Sequence, residues 1–182
     1  MTKTEIKRIV NDSINKRNLC RMFFRYDRNY YYYFPLASSD KLFLGAEEDD
    51  FIIDGYSIRR YVDMTKVQVK NDMCVKILKS EGITDSIQLP NIDISNWETV
   101  FTSLQRINKN IIIEKESLNE DNWEFCIGRI DKVYKRFVYL YHFDADGIWQ
   151  DQPFKIPYSE ITSVSFGTRY VETYSKYINE LP

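Results

Sequence analysis

Glycine is scarce in this chain of 182 residues. There are six, and none forms a Gly-x-Gly-x-x-Gly or Walker-type loop able to cradle a phosphate. That excludes the nucleotide-using enzymes of the common folds. Histidine is scarcer still, with His142 alone. A cysteine nucleophile needs a base beside it, so Cys20, Cys74 and Cys126 would have to share that single imidazole. The three cysteines are scattered, with no Cys-x-x-Cys, and so spell out neither a disulfide framework nor a zinc site. Unpaired thiols suit a reducing setting, and the expectation is a cytoplasmic protein. Cys20 and Cys126 lie in apolar strand runs and Cys74 on a helix stripe, where a thiol behaves as a small hydrophobe. Apolar runs are short, and none approaches the roughly 18 residues of a membrane helix. Met1-Thr2-Lys3-Thr4-Glu5 lacks the apolar stretch of a signal peptide. Positive charge is not in excess either: 25 Lys and Arg face 27 Asp and Glu, so the molecule as a whole is not a strongly basic nucleic-acid binder.

Candidate chemistry thins out further on inspection. His142 ends a strand pattern just before Asp144-Ala145-Asp146-Gly147 and reads as a hydrogen-bonded strand-end group rather than a base. That tetrapeptide looks like part of an EF-hand loop. Aligned on Gly147, however, it puts His142 at the first ligand position and Pro153 at the twelfth, where a Glu is needed. Glu47-Glu48-Asp49-Asp50 reads as a solvated hairpin tip. No pair of carboxylates singles itself out for acid–base work. The expectation is a non-enzyme with no cofactor, no metal site and no catalytic residue.

What the chain does have is apolar and aromatic content, 43% and 15%, enough for a packed core, and an internal repeat. Tyr61, Met64, Val67, Val69, Met73, Cys74 and Ile77 recur, 97 positions on, as Tyr158, Ile161, Val164, Phe166, Tyr170, Val171 and Tyr174. Each block follows an Asp-Gly pair, Asp54-Gly55 and Asp146-Gly147, and the second copy carries about five extra loop residues. Upstream of each block lies an amphipathic helix. The first covers 3–17, with Ile6, Ile9, Val10 and Ile14 on one stripe. The second has Trp97, Val100, Phe101, Leu104 and Ile107, with Ser95 and Glu98 as its capping box. β-Branched and aromatic residues mark five strands in the first half, at 19–26, 30–36, 42–46, 51–59 and 65–70. They mark five in the second, at 111–116, 124–133, 137–143, 154–157 and 163–166. Short helices close the halves, at 71–80, stopped by Gly82, and at 168–181. A linker at 84–90 divides the chain into 1–88 and 89–182.

This order of elements predicts a mainly β protein with flanking helices (α+β). It resembles two tandem five-stranded antiparallel small barrels of the Sm-like/SH3-like kind, each preceded and followed by a helix. The resemblance rests on element order and spacing. Sm proteins carry an Arg-Gly near the last two strands, whereas this chain has Val164-Ser165-Phe166-Gly167-Thr168 in one copy and Val69-Lys70-Asn71 in the other. The Arg is missing, so no RNA-contact residue carries over. From Gly128-Arg129-Ile130 to Phe166-Gly167 the wording is also similar to small bacterial proteins with no assigned activity, which implies none here.

Charge is uneven along the chain. Residues 1–28 have a net charge of +5 and residues 29–56 a net of −5. Aromatics interleave with the basic part, in Phe23, Phe24, Tyr26 and Tyr30-Tyr31-Tyr32-Tyr33-Phe34. Cations for phosphates with aromatic faces for stacking are what a single-strand surface requires. The same tyrosines would serve equally as core, and the cations as a wet helix face balanced by the acidic hairpin. The second-copy loop carries Trp149, followed by Phe154. An aromatic there either anchors a protein partner or folds back over the strands. Trp123 is expected to start a strand and pack on it. The expected function is therefore binding. Protein recognition through Trp149 and Phe154 leads, and single-stranded RNA or DNA binding through Arg21, Arg25, Arg28 and Tyr31 is the alternative. No membrane partner is expected.

Overall fold

The computed structural model describes residues 1–26 and 29–179, with Glu120 placed by its backbone alone. The chain divides into two compact units, Met1–Pro90 and Asn91–Pro182. In the first, α1 (Lys3–Lys16) is capped by Thr2, whose hydroxyl accepts from the Glu5 amide while Glu5 reaches back to the Thr2 amide. Five antiparallel strands follow: β1 (Cys20–Phe24), β2 (Tyr30–Ser38), β3 (Leu42–Asp49), β4 (Ile52–Arg60) and β5 (Met64–Val69). The unit ends with α2 (Met73–Ser80) and a helical turn, α3 (Ile83–Ser86), which overlaps the segment 84–90 expected to be a linker. β1 lies between β5 and β2, and the sheet runs β5-β1-β2-β3-β4.

Alternation sets the faces. Cys20, Met22 and Phe24 point to one side with Tyr33, Phe43, Tyr61, Met64 and Val67, and α1 covers them with Ile6 and Val10. Leu19, Phe34 and Ala46 meet Leu78 of α2 on a second cluster. Gly55 sits inside β4 with φ 77°, where Asp54 and Gly55 together oppose the single residue Glu47 of β3 in a bulge.

The second unit repeats the sequence of elements. α4 (Trp97–Ile107) is capped by Asn96 and Thr99 rather than by Ser95 and Glu98. Ser95 is already spent, because its amide and its hydroxyl both donate to Asp93. Strands β6 (Ile111–Lys115), β7 (Glu124–Val133), β8 (Phe137–His142), β9 (Phe154–Pro157) and β10 (Ser163–Phe166) lead to α5 (Arg169–Tyr177). A single 3-10 turn, Glu120–Asn122, precedes β7. The sheet order is β10-β6-β7-β8-β9, so in each unit the last strand returns to pair with the first. The 97-residue offset brings Met64 and Ile161, and Val67 and Val164, to equivalent buried positions. It breaks at Val69, which is exposed where Phe166 is buried.

The protein is thus mainly β with flanking helices. The expected closure into barrels is not what the strands do: each unit is an open sheet, with no ladder between its fourth and fifth strands among the described residues. Among the same residues no helix is long and apolar enough to cross a membrane.

Candidate functional site

In β1 the inward-facing Cys20, Met22 and Phe24 leave Arg21 and Phe23 on the opposite face. Register then decides their neighbours. Arg21 pairs with Tyr32 of β2 and Gln68 of β5, and Phe23 with Tyr30 and Lys66. Cross-strand partners share a face, so Arg21, Phe23, Tyr30, Tyr32, Lys66 and Gln68 form one surface. The Arg21 guanidinium lies 4.1 Å from the Tyr30 ring centroid and 5.6 Å from that of Tyr32. It also donates to the Tyr32 hydroxyl at 3.0 Å. That bond pushes the Arg21 pKa further up, so the cation is permanent. Tyr30 meets Phe23 edge-on at 5.7 Å and Tyr32 at 5.2 Å. Lys66 stands 5.2 Å over Phe23 and Lys70 5.9 Å over Tyr32. Asp72, whose charge acts on Arg21, is tied to Lys70 and to the α2 amide of Val75, and Glu48 of β3, directly opposite Tyr32, shares the same face.

The other residues singled out from the sequence fall elsewhere. Tyr31 points to the opposite side, packed on the α1-covered cluster and 4.9 Å from the guanidinium of buried Arg59. It does not join Arg21, because a one-residue step in a strand reverses the face. Arg25 donates to the Val62 carbonyl and lies 3.5 Å from the buried Asp63 carboxylate. Arg28 lies outside the described residues. Trp149 folds back onto its own unit. It bridges to Phe143, meets that ring edge-on at 5.0 Å and donates its indole N–H to the Asn179 carbonyl at 2.9 Å. Phe154 is half-buried in β9, edge-on to His142 at 6.0 Å. Trp123 is half exposed rather than packed down.

The acidic hairpin also differs from expectation. Asp49 and Asp50 are exposed, but Glu48 is buried and accepts from the Phe51 amide. Glu47 is enclosed with Tyr33 and Ser57, which both donate to it at 3.3 Å. Burial pushes its carboxyl up to about 7, outweighing the nearby Arg59 charge. Two basic residues of α1 find acidic partners elsewhere: Lys7 pairs with Asp40 at 2.8 Å and Arg8 with Asp12 at 3.6 Å.

Among the described residues no group of three or more His, Cys, Asp or Glu is placed to hold a metal ion. His142 shares its Nδ1 with the Ile127 carbonyl at 3.0 Å. Burial raises the Cys20 and Cys126 thiols to about 11, which leaves them poor nucleophiles near neutrality.

Phe23, Tyr30 and Tyr32 belong to the aromatic run read from the sequence without being singled out from it, and Lys66 is not signalled there at all. β1 carries a readable signal, since the apolar parity of Cys20, Met22 and Phe24 turns Arg21 outward. In the aromatic run 30–34 of β2 no such parity exists, and only pairing assigns the faces. No family model matches the chain, and no curated protein or solved structure matches it either.

Proposed function

We propose that the protein is a non-catalytic binding protein whose first unit takes single-stranded nucleic acid on the outer face of β5-β1-β2. The observation that carries this is the company Arg21 keeps. One surface holds a permanent cation, Lys66, the acid-paired Lys70 and three aromatic rings, Tyr30 touching the other two and Tyr32 also packing on the cluster under α2. Bases stack on such rings whatever their identity, and the cations serve the phosphates. A single strand offers both at once, whereas a duplex hides its base faces.

The reading of each unit as an Sm-like/SH3-like small barrel, opened out, belongs to the same proposal. Its support is the helix, the five antiparallel strands with the last returning to the first, and the closing helix, found in both units.

Protein recognition is the second reading. It is favoured by Phe125 and Tyr170, which are exposed, lie 6.2 Å apart and belong to the second unit.

Fluorescence anisotropy with a labelled mixed-sequence single-stranded RNA, at low and near-physiological salt, tests the first reading. Arg21→Ala with Tyr30→Ala is expected to weaken binding about tenfold or more, with the far-ultraviolet spectrum unchanged. No binding of the unaltered protein at low salt would overturn it and leave the protein-partner reading.

A further inference from the structure

A second surface of the same chemistry lies in the other unit, at the end of the β7–β8 hairpin. From Arg129 through Phe137 four cations, Arg129 included, stand against one acid, Asp131, although the chain as a whole is slightly acidic. Asp131 is the extra residue of a bulge between Ile130 and Lys132, and its carbonyl is held by the Gln105 side chain of α4 at 2.7 Å. The bulge brings Lys132 directly opposite Tyr139, and Tyr139 is in turn opposite Lys155 of β9. Cation, ring and cation therefore form one row across three strands.

Three rings cluster beside that row. Tyr134 stacks on Phe137 at 4.8 Å and meets Tyr139 edge-on at 5.9 Å, and Phe137 meets Tyr139 at 5.7 Å. Lys155 sits 4.2 Å over Phe137. The core does not use these rings, because the alternate residues Val138 and Leu140 are the ones fully buried.

The backbone here is firmly set. The Tyr134 amide donates to Phe137, the Tyr158 amide to Arg136 and the Tyr158 hydroxyl to Tyr134. Lys135 and Arg136 are thereby presented outward at the tip. Lys132, Lys135, Arg136 and Lys155 have no ion-pair partner among the described residues. In the first unit, by contrast, Lys7, Arg8, Arg25 and Lys70 are all engaged by acids.

We infer that the Lys132–Tyr139–Lys155 row, with Tyr134, Lys135 and Arg136 at its end, is a second and independent binding site for single-stranded nucleic acid. Unpaired cations alone would suit any polyanion. The contiguous rings within reach of those cations select a polyanion that also carries stackable bases.

The test uses the full chain, a labelled oligouridylate and a labelled oligothymidylate, with anisotropy read over a range of salt. The starting protein carries Arg21→Ala and Tyr30→Ala, so the first surface is already removed. Binding that persists there, and weakens about tenfold or more on adding Tyr134→Ala, supports the site. So does a salt slope that falls by about 1.4 on adding Lys135→Ala and Arg136→Ala. All three side chains are exposed, so folding is expected to survive, as checked by circular dichroism. Unchanged affinity in these variants overturns the proposal, whatever the first surface does. Competition by inorganic polyphosphate or polyglutamate as strong as that by oligouridylate overturns it too, because charge without bases would then suffice.

Discussion

Glu47 shows how one side chain can be read correctly as an acid and wrongly as a surface group. Its neighbours Asp49 and Asp50 are wet, yet its own carboxyl is enclosed with Tyr33 and Ser57 and titrates near 7. Because that value lies above the ordinary 4.5, the fold holds a proton between pH 4.5 and 7 that the unfolded chain has released. Stability is therefore expected to fall as pH rises through that window and then to level off, by on the order of 3 kcal/mol. Urea unfolding across pH, compared with Glu47→Gln, checks this: the variant's profile should be flatter, and an identical slope would remove Glu47 as the cause. Trp149 poses the matching question for an aromatic. With its ring against Phe143 and its N–H on Asn179, Trp149→Ala is expected to cost about 3 kcal/mol by the same measurement. A change under about 0.5 kcal/mol would instead describe an exposed anchor.

At the scale of elements, β-pairing decides more than propensity does. All ten strands and both long helices are legible from β-branched and aromatic runs and from the 3.6-residue stripes. Caps and bulges are not, because they depend on which of several adjacent polar residues is already engaged, as Ser95 is by Asp93. The same holds for the bulge that puts Lys132 opposite Tyr139. Close approach of backbones is equally invisible in one dimension. At Gly128 in β7 an added Cβ would lie 1.8 Å from the Tyr141 carbonyl oxygen of β8, so a methyl group there must push the two strands apart. Gly128→Ala is expected to cost about 3 kcal/mol or more and to lower the thermal midpoint accordingly. A near-neutral result would mean that the β7–β8 pairing is looser than the register implies.

For the whole molecule, a net charge of −2 gives no long-range attraction for a polyanion, so any nucleic-acid binding must be local to a patch. With roughly three phosphates engaged by such a patch, the logarithm of the binding constant should fall with the logarithm of salt at a slope near −2. Anisotropy titrations over a salt series read this directly, and a slope several times steeper would indicate a far larger contact than either surface offers. The duplicated order of elements, the mainly β class and the outward turn of Arg21 all follow from the amino-acid sequence, because periodicity and composition are local properties. The partners of Arg21 do not, nor do the lack of closure into barrels, the inward turn of Glu47 or the folding back of Trp149. Each depends on contacts between residues distant in the chain, and in the aromatic run 30–34 of β2 only hydrogen-bonded register chooses which rings are buried and which face outward.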